Sequence, residues 1–125
     1  MYGRVPDYNP SIEDYERARR EIRSFSVVMD RLHAEFGFTE IAEGGARGAD
    51  TLARNWARTN GVPCSTYRAE WTRFGTSAGW MRNAEMLAKF NPDAAVPFPG
   101  GRGTADMVRR AIAANVKIIH IEEYL

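Results

Sequence analysis

From Phe38 onward the sequence alternates between short apolar segments and segments with helical periodicity. The predicted strands cover four segments, residues 38–43, 62–69, 93–98 and 116–121. The predicted helices cover residues 49–59, 80–90 and 107–114, with a loop over residues 70–79. Regular alternation of this kind is typical of a parallel sheet with helices packed on both faces. The sequence therefore predicts a three-layer α/β fold, helix on sheet on helix, with a mostly parallel sheet.

Two glycine-rich turns each follow a predicted strand. The first is Gly44-Gly45-Ala46-Arg47-Gly48-Ala49-Asp50, and the second is Pro99-Gly100-Gly101-Arg102-Gly103-Thr104. Glycine has no Cβ, so the backbone N–H groups of such a turn can approach an anion closely, and the helix that follows directs the positive end of its dipole to the same place. Because the carboxyl ends of parallel strands lie at one edge of a sheet, both turns are predicted to form one phosphate-binding site.

Side chains of the turns are expected to contribute to this site. Arg47 and Arg102 are expected to neutralise a phosphate. Thr104 is expected to cap the second helix and to offer its hydroxyl to the phosphate. Asp50 is expected either to accept a hydrogen bond from a ribose hydroxyl or to cap its own helix.

Arg82 is predicted near the start of a helix, where the dipole disfavours a cation. A positive charge at this place indicates an anionic partner, either a ligand phosphate or a carboxylate such as Glu70 or Glu85. The neighbouring Asn83 is expected either to bind the ligand or to hold the loop. Trp71 and Phe74 are candidates to stack on a nucleotide base, and Trp71 is expected alternatively to fill the core beneath its loop.

Composition and charge limit the classes of partner. The 125 residues are enough for one domain, and the net charge of +1 gives no overall attraction to nucleic acid or to an anionic membrane. A single cysteine, Cys64, and two distant histidines, His33 and His120, predict no resident metal, although Mg²⁺ could arrive with a phosphate ligand. No apolar segment is long enough to span a membrane, which predicts a cytoplasmic protein without a membrane partner.

The domain is predicted to comprise residues 1–125, with an irregular start and a long helix over residues 1–37 and the α/β core over residues 38–122. Ser11-Ile12-Glu13-Asp14 has the pattern of a capping box at the start of the long helix. Trp56 and Trp80 are expected in the core or in an interface. The long helices and spare tryptophans favour a homodimer or a larger oligomer.

Together these motifs resemble the SLOG superfamily, and within it the YspA-like (cpYpsA-related) branch. The resemblance covers about residues 28–122 and is carried by both glycine-rich turns together with Trp71, Ala78-Gly79 and Arg82-Asn83. It implies a Rossmann-like domain that binds a nucleotide or a nucleotide-derived ligand, as a sensor or processor of a nucleotide signal. The second turn matches the family's phosphate-binding motif.

More distant members of the superfamily imply two alternatives. Lonely Guy phosphoribohydrolases cleave an N-glycosidic bond of a nucleoside monophosphate, and the segment around Arg82 resembles the one with their catalytic arginine. Such an enzyme needs a carboxylate near the ribose, for which Asp50, Asp106 and Glu70 are the candidates. The final glutamate of the Lonely Guy motif falls on Met107, which favours binding over catalysis. DprA binds single-stranded DNA, but the near-neutral charge makes nucleic acid the less favoured partner here.

Relatives begin with an apolar strand that lies centrally in the sheet and ends in a Gly-Gly-Arg-like turn. Here Gly3-Arg4 matches the end of that turn, and only Met1-Tyr2 precede it. The usual first strand is therefore expected to be missing. Either the sequence starts late, or the sheet closes without this strand, or a partner chain fills the gap. An unfilled gap would leave backbone groups unpaired.

Overall fold

A computed structural model of the chain describes residues 11–125, and the predicted irregular start, with Gly3-Arg4, lies outside the described residues. Over this range the chain is a mixed α/β fold, as predicted. The helices and strands, numbered in chain order, are α1 (Ile12–Phe36), β1 (Ile41–Glu43), α2 (Ala49–Asn60), β2 (Cys64–Thr66), α3 (Trp71–Phe74), α4 (Ala78–Phe90), β3 (Ala94–Ala95), α5 (Arg102–Ala113) and β4 (Lys117–Ile118). Two short 3₁₀ turns add Gly75–Ser77 and Ile121–Tyr124.

Helix α1 has the predicted capping box. The Ser11 hydroxyl accepts a hydrogen bond from the N–H of Asp14 (3.1 Å), and the Asp14 carboxylate accepts one from the N–H of Ser11 (3.0 Å). Gly37 ends the helix in the left-handed conformation, with φ of 64°, and donates its N–H to the carbonyl of His33 (2.8 Å). Neither α1 nor any other helix within the described range is long and apolar enough to cross a membrane.

The core forms where the second half of α1 packs against α2 and the strands. Its larger buried side chains are Phe25, Val28, Met29, Leu32, Trp56, Val62, Ile119 and Ile121. Trp56 is 5% exposed, and its indole N–H donates to the carboxylate of Asp30 (2.9 Å). Phe25 contacts Phe98, which follows β3, with ring centroids 4.6 Å apart. Helix α1 is thus joined to the elements of both halves of the fold.

The strands form two parallel pairs. β1 pairs with β2, with Ile41 opposite Cys64, and β3 pairs with β4, with Ala94 opposite Lys117. No strand among residues 11–125 is hydrogen-bonded to both pairs. The described part of the chain therefore does not close into one sheet. Closure of the sheet without the first strand was one of the three explanations given above, and these residues do not show it.

The free edges of β1 and β3 border the same cavity, which has a volume of about 550 Å³. The backbone of Ala42 faces away from β2, because the residues on either side of it use their backbone groups to pair with that strand. Likewise, the carbonyl of Ala95 accepts a 2.9 Å hydrogen bond from Ile119, so the backbones of Ala94 and Val96 face away from β4. A further strand placed between the two edges could therefore hydrogen-bond to both of them.

Several boundaries differ from those predicted. The strands have only two or three residues each, and Pro92 and Pro97 bracket β3, where a proline cannot donate to the ladder. The predicted loop over residues 70–79 is largely helical, because α3 and a 3₁₀ turn occupy it. Since α4 begins at Ala78, Arg82 lies one turn inside this helix rather than at its start, which corrects the prediction.

Candidate anion-binding site

Both glycine-rich turns line the cavity between β1 and β3. Its loop end, as we call it, is formed by the first turn, by Arg82 and Asn83, and by the second turn. Its other end is apolar and is lined by residues of β1 and β3 together with Met29 and Phe38. The two turns therefore meet at one place, as expected from strands that run parallel.

The first turn already uses two of its backbone N–H groups. The N–H of Gly45 donates to the Glu43 carboxylate (2.6 Å), and the N–H of Ala46 donates to the Asp50 carboxylate (3.1 Å). Asp50 thus holds the turn in place instead of capping its own helix, and its expected hydrogen bond with a ribose hydroxyl stays a prediction. No side chain caps α2 at Gly48, so the first N–H groups of α2 have no acceptor within the described chain. The free donors on this side are therefore the N–H groups of the helix start together with those of Gly44 and Gly48, which have no acceptor among the described residues.

The second turn keeps its N–H groups free. Gly101 is the N-cap of α5, without a side-chain cap, and the first helical hydrogen bond runs from Ala105 to Gly101 (3.1 Å). The N–H groups of residues 102–104 therefore have no acceptor among residues 11–125. Thr104, predicted as the cap, lies inside the helix instead, and its hydroxyl packs against Gly100. A Cβ on Gly100 would lie 2.3 Å from this oxygen, so a larger residue there would require Thr104 to shift.

Arg82 connects the first turn to α4 and approaches the second turn. Its Nη1 donates to the carbonyl of Gly44 (2.7 Å), and its Nε donates to the side-chain oxygen of Asn83 (3.0 Å). Its Nη2 lies 3.8 Å from where a Cβ of Gly103 would be, and no described residue accepts a hydrogen bond from it. The guanidinium therefore has donors directed into the loop end of the cavity.

The carboxylates expected to neutralise Arg82 pair with other residues. Glu70 forms an ion pair with Arg73 (3.6 Å), and Glu85 forms one with Lys89 (3.0 Å). Within the described chain no carboxylate lies within ion-pair distance of Arg82. Neither expected carboxylate is therefore the partner of Arg82, and an anionic ligand stays a prediction.

Asn83 and Asp106 form a buried network behind the second turn. The amide of Asn83 donates to the carbonyl of Gly103 (3.1 Å) and to the Asp106 carboxylate (3.0 Å), which also accepts from Arg110 (2.8 Å). Burial alone would raise the pKa of Asp106, but the hydrogen bonds from Asn83 and Arg110 and the charges of Arg110 and Arg109 outweigh burial, so the pKa lies below its ordinary value. Asp106 is thus an ionised, fully engaged carboxylate that holds the turn.

Three of the predicted ligand-binding residues, Gly45, Trp71 and Arg102, lie outside the cavity lining. Trp71 is 59% exposed, so it is not a core residue, and its ring lies against Gly79, which Nη2 of Arg82 also approaches. Stacking of a base on Trp71 stays a prediction. Arg102 is exposed, while Arg47, also exposed, lines the cavity. A second, smaller cavity of about 390 Å³ lies on the other side of Arg82 and is lined by Phe74 among others. Phe74 and Arg82 thus line the same small cavity.

Glu43 is a site residue that the sequence analysis missed. Its side chain is 2% exposed and accepts hydrogen bonds from the N–H of Gly45 and from the hydroxyl of Thr66, and it lies 3.5 Å from the Nε of Arg54. A glutamate at the end of an otherwise apolar strand was the available signal. Within residues 11–125, no group of histidine, cysteine or acidic side chains has an arrangement that could hold a metal ion.

Comparison with known proteins agrees with this geometry. The chain matches the sequence profile of the YspA, cpYpsA-related SLOG family over residues 16–74. It is also 36% identical over 103 residues to the Gene 61 protein of Mycobacterium phage D29, an alignment that covers 77% of this chain and 82% of the relative. The chain belongs to the YspA, cpYpsA-related SLOG family. No solved structure matches it.

Membership of the SLOG family confirms the resemblance inferred from the motifs. The matched range contains the first turn and α3 but ends before α4 and the second turn. The part of the site formed by Arg82, Asn83 and the second turn is therefore supported by its geometry and not by the profile. SLOG membership suggests a nucleotide-related function, and the name of the phage relative states no activity.

Proposed function

We propose that this SLOG protein binds a nucleotide or a nucleotide-derived ligand, with a phosphate group at the loop end of the cavity. The observation that supports this most directly is the position of Arg82. Its charge has no carboxylate partner in the described chain, and it lies between two helix starts without side-chain caps, those of α2 and α5.

The electrostatic setting favours an anion at this place. Each helix start carries the equivalent of roughly half a positive charge, because its first N–H groups point out of the helix. The carboxylates of the site, Glu43 and Asp50, are bound to the first turn, and Glu43 also lies beside Arg54. A phosphate between the helix starts would accept hydrogen bonds from residues 102–104 and from Nη2 of Arg82.

The room at the loop end is compatible with more than a phosphate. The cavity of about 550 Å³ includes the gap between β1 and β3, so the space left for a ligand is its loop end together with the second cavity of about 390 Å³ beside Arg82. Small-molecule sites typically have volumes of about 300 to 1,000 Å³. Arg82 also lines the second cavity, so a ligand bound at the loop end would extend past it toward Phe74. We therefore propose that the base lies near Phe74, one of the two aromatic residues that the sequence offers for stacking.

A binding titration tests this proposal. We expect AMP, NAD or ADP-ribose to bind, with inorganic phosphate as the minimal competitor. Arg82→Gln should weaken binding by about 10- to 100-fold, because hydrogen bonds to charged groups contribute about 1.5–3 kcal/mol. Arg58→Gln removes the same charge at the far end of α2 and should leave affinity unchanged. No binding of any of these ligands, or equal affinities of the Arg82 and Arg58 variants, would contradict the proposal.

Catalysis by the Lonely Guy route has less support. Asp106 is held by Asn83 and Arg110, Asp50 is held by the first turn, and Met107 lines the cavity at the place of the motif's glutamate. Incubation with AMP or NAD should therefore release no base. Steady release of base would contradict this expectation, and replacement of Asp50 would then test whether this carboxylate acts on the ribose. A requirement for Mg²⁺ stays a prediction, to be tested by repeating the titration with a chelator.

We further propose that the fold is a Rossmann-like three-layer sheet completed by a strand between β1 and β3. Such a strand would pair with the free backbone groups of Ala42 on one side and of Ala94 and Val96 on the other. Hydrogen exchange of these three amides is the test. They should be protected, and so should the amide of Ile41, which donates to the carbonyl of Pro63 (2.9 Å). Rapid exchange at all three, with Ile41 protected, would contradict the proposal.

A further inference from the structure

We propose that the smaller cavity, of about 390 Å³, is a second anion subsite in which Arg68 binds a further phosphate, so that the ligand is a nucleoside diphosphate or a derivative of one. This inference rests on the proposed function, because it places the second phosphate next to the one at the loop end. Arg68 follows β2, is exposed, and lines the smaller cavity but not the larger one.

The pairing of β1 with β2 determines where Arg68 lies. Glu43 stands opposite Thr66 in the register, and the N–H of Tyr67 donates to the carbonyl of Glu43 (2.9 Å). The residues that follow the two strands therefore continue side by side, which brings Arg68 against Gly45. A Cβ on Gly45 would lie 3.0 Å from the Cγ and 3.3 Å from the Nη1 of Arg68, so a larger residue there would require this arginine to shift.

Arg82 contacts the preceding glycine in the same way. A Cβ on Gly44 would lie 2.8 Å from the Nη1 of Arg82. The two consecutive glycines, Gly44 and Gly45, thus leave room for two guanidinium groups, one from the end of β2 and one from α4. Two cations held near the same turn raise the local positive potential, and an anion bound beside them lowers the electrostatic energy.

The nearby carboxylates do not neutralise these two arginines. Glu70 lines the smaller cavity and pairs with Arg73 (3.6 Å). Glu85 lines it as well and pairs with Lys89 (3.0 Å). The buried Glu43 accepts a hydrogen bond from the first turn. Neither guanidinium group forms an ion pair within residues 11–125, so both keep their charge available for a ligand.

The lining of the two cavities separates the two phosphates. Residues 102–104 offer their N–H groups at the loop end of the larger cavity, Arg82 lines both cavities, and Arg68 lines only the smaller one. The terminal phosphate would bind to residues 102–104 and Arg82, and the next phosphate would bind to Arg68, whose planar fork matches phosphate oxygens. Phe74 lines the smaller cavity too, so the base follows the second phosphate, in the order that a nucleoside diphosphate has.

Titration with AMP and ADP tests the subsite, in the presence of a chelator so that Mg²⁺ does not neutralise the second phosphate. ADP should bind about 10-fold more tightly than AMP, and inorganic pyrophosphate about 10-fold more tightly than inorganic phosphate, because one more charge-assisted hydrogen bond has about this effect. Arg68→Gln should remove both preferences and change the affinities for AMP and phosphate by less than about two-fold, since salt screens the remaining long-range effect of one charge.

Three further variants make the test specific. Arg68→Lys keeps the charge but loses the planar fork, and should keep a preference for ADP of about three-fold. Arg58→Gln removes an exposed charge that lines neither cavity, and should leave the preference unchanged. Arg47→Gln removes a charge from the larger cavity alone, and should leave the ratio of the two affinities unchanged. Circular dichroism and thermal unfolding of each variant check that the fold is retained.

The possible failures of this proposal differ from those of the proposed function. Equal affinities of the parent for AMP and ADP would overturn the second subsite and leave the proposed function intact. The subsite is equally overturned if Arg68→Gln keeps the preference, if it weakens AMP and ADP by the same factor, or if Arg47→Gln is the variant that removes the preference. No binding of AMP, ADP, phosphate or pyrophosphate would overturn both proposals.

Discussion

Replacing Gly100 with alanine tests the packing of the second turn. The new Cβ would lie 2.3 Å from the hydroxyl oxygen of Thr104 and 3.2 Å from its Cβ, both too close for unbonded atoms. Rotation of the threonine can move the oxygen, but its Cβ is fixed to α5. Overpacking of this kind costs about 1–3 kcal/mol, and the partial relief by rotation places our expectation at about 1–2 kcal/mol in the free energy of unfolding, measured by urea denaturation.

Two further variants separate this clash from a general intolerance of the turn. In a Thr104→Ala background the same Gly100→Ala change should cost less, by about 0.5–1 kcal/mol, because the hydroxyl is gone and only the contact with the Cβ of residue 104 remains. Gly103→Ala is the matched control: its nearest neighbour would be 3.8 Å away and it lies in a helix, so alanine should leave stability unchanged or raise it by up to about 1 kcal/mol. Equal costs of Gly100→Ala in both backgrounds would refute the reasoning.

Three other predictions concern the networks around the site and α1. Asp106→Asn should lower the unfolding free energy by about 1–3 kcal/mol at neutral pH. The pKa of Asp106 in the folded protein lies below its ordinary 3.8, so its stabilisation is present above that value and is lost as the pH falls through the folded pKa. Unfolding measured against pH should therefore show that the variant loses less stability in acid than the parent. Glu43→Gln should cost about 1–3 kcal/mol and speed hydrogen exchange at Gly45, which NMR can follow. Hydrogen bonding to Glu35 raises the pKa of Tyr124 to about 12; the stabilisation is present below the ordinary value of 10 and lost as the pH rises through 12, and Glu35→Gln should return the ultraviolet titration toward 10.

The layout of the site could be predicted from the sequence because it depends on chain order. A glycine-rich turn after each of two parallel strands brings Gly44 and Gly100 to the same edge, whatever the details of packing. The capping box at Ser11 and the burial of Trp56 were also predictable, because local hydrogen bonding and apolar periodicity determine them.

Other features depend on contacts between distant residues, which a pattern does not reveal. The role of Asp106 follows from its contact with Asn83, twenty-three residues earlier in the sequence. The contacts of Glu43 could not be predicted, because its hydrogen-bond partner Thr66 lies on another strand, twenty-three residues later in the sequence. The sequence analysis placed Arg82 at the start of a helix because Trp71, Gly75 and Gly79 before it are typical of a loop. In the structure, α4 begins earlier, at Ala78.

Strand lengths were overestimated for a related reason. Apolar runs such as residues 116–121 extend beyond the residues that pair, because pairing also requires a neighbouring strand along the whole run. The two described pairs each lack a neighbour on one side. The strand that would lie between β1 and β3 was predicted to be missing, and the free edges at Ala42 and Ala94 agree with its absence from the described part of the chain.

The central claim is that the two turns form one anion site. An NMR titration of the ¹⁵N-labelled protein with AMP tests it most directly, because each backbone amide reports separately. The account predicts that the amides of residues 49–51 and 102–104 shift together, with one dissociation constant, and that Arg82→Gln weakens both sets alike. Shifts confined to one turn, different dissociation constants for the two, or shifts only elsewhere in the chain would contradict it.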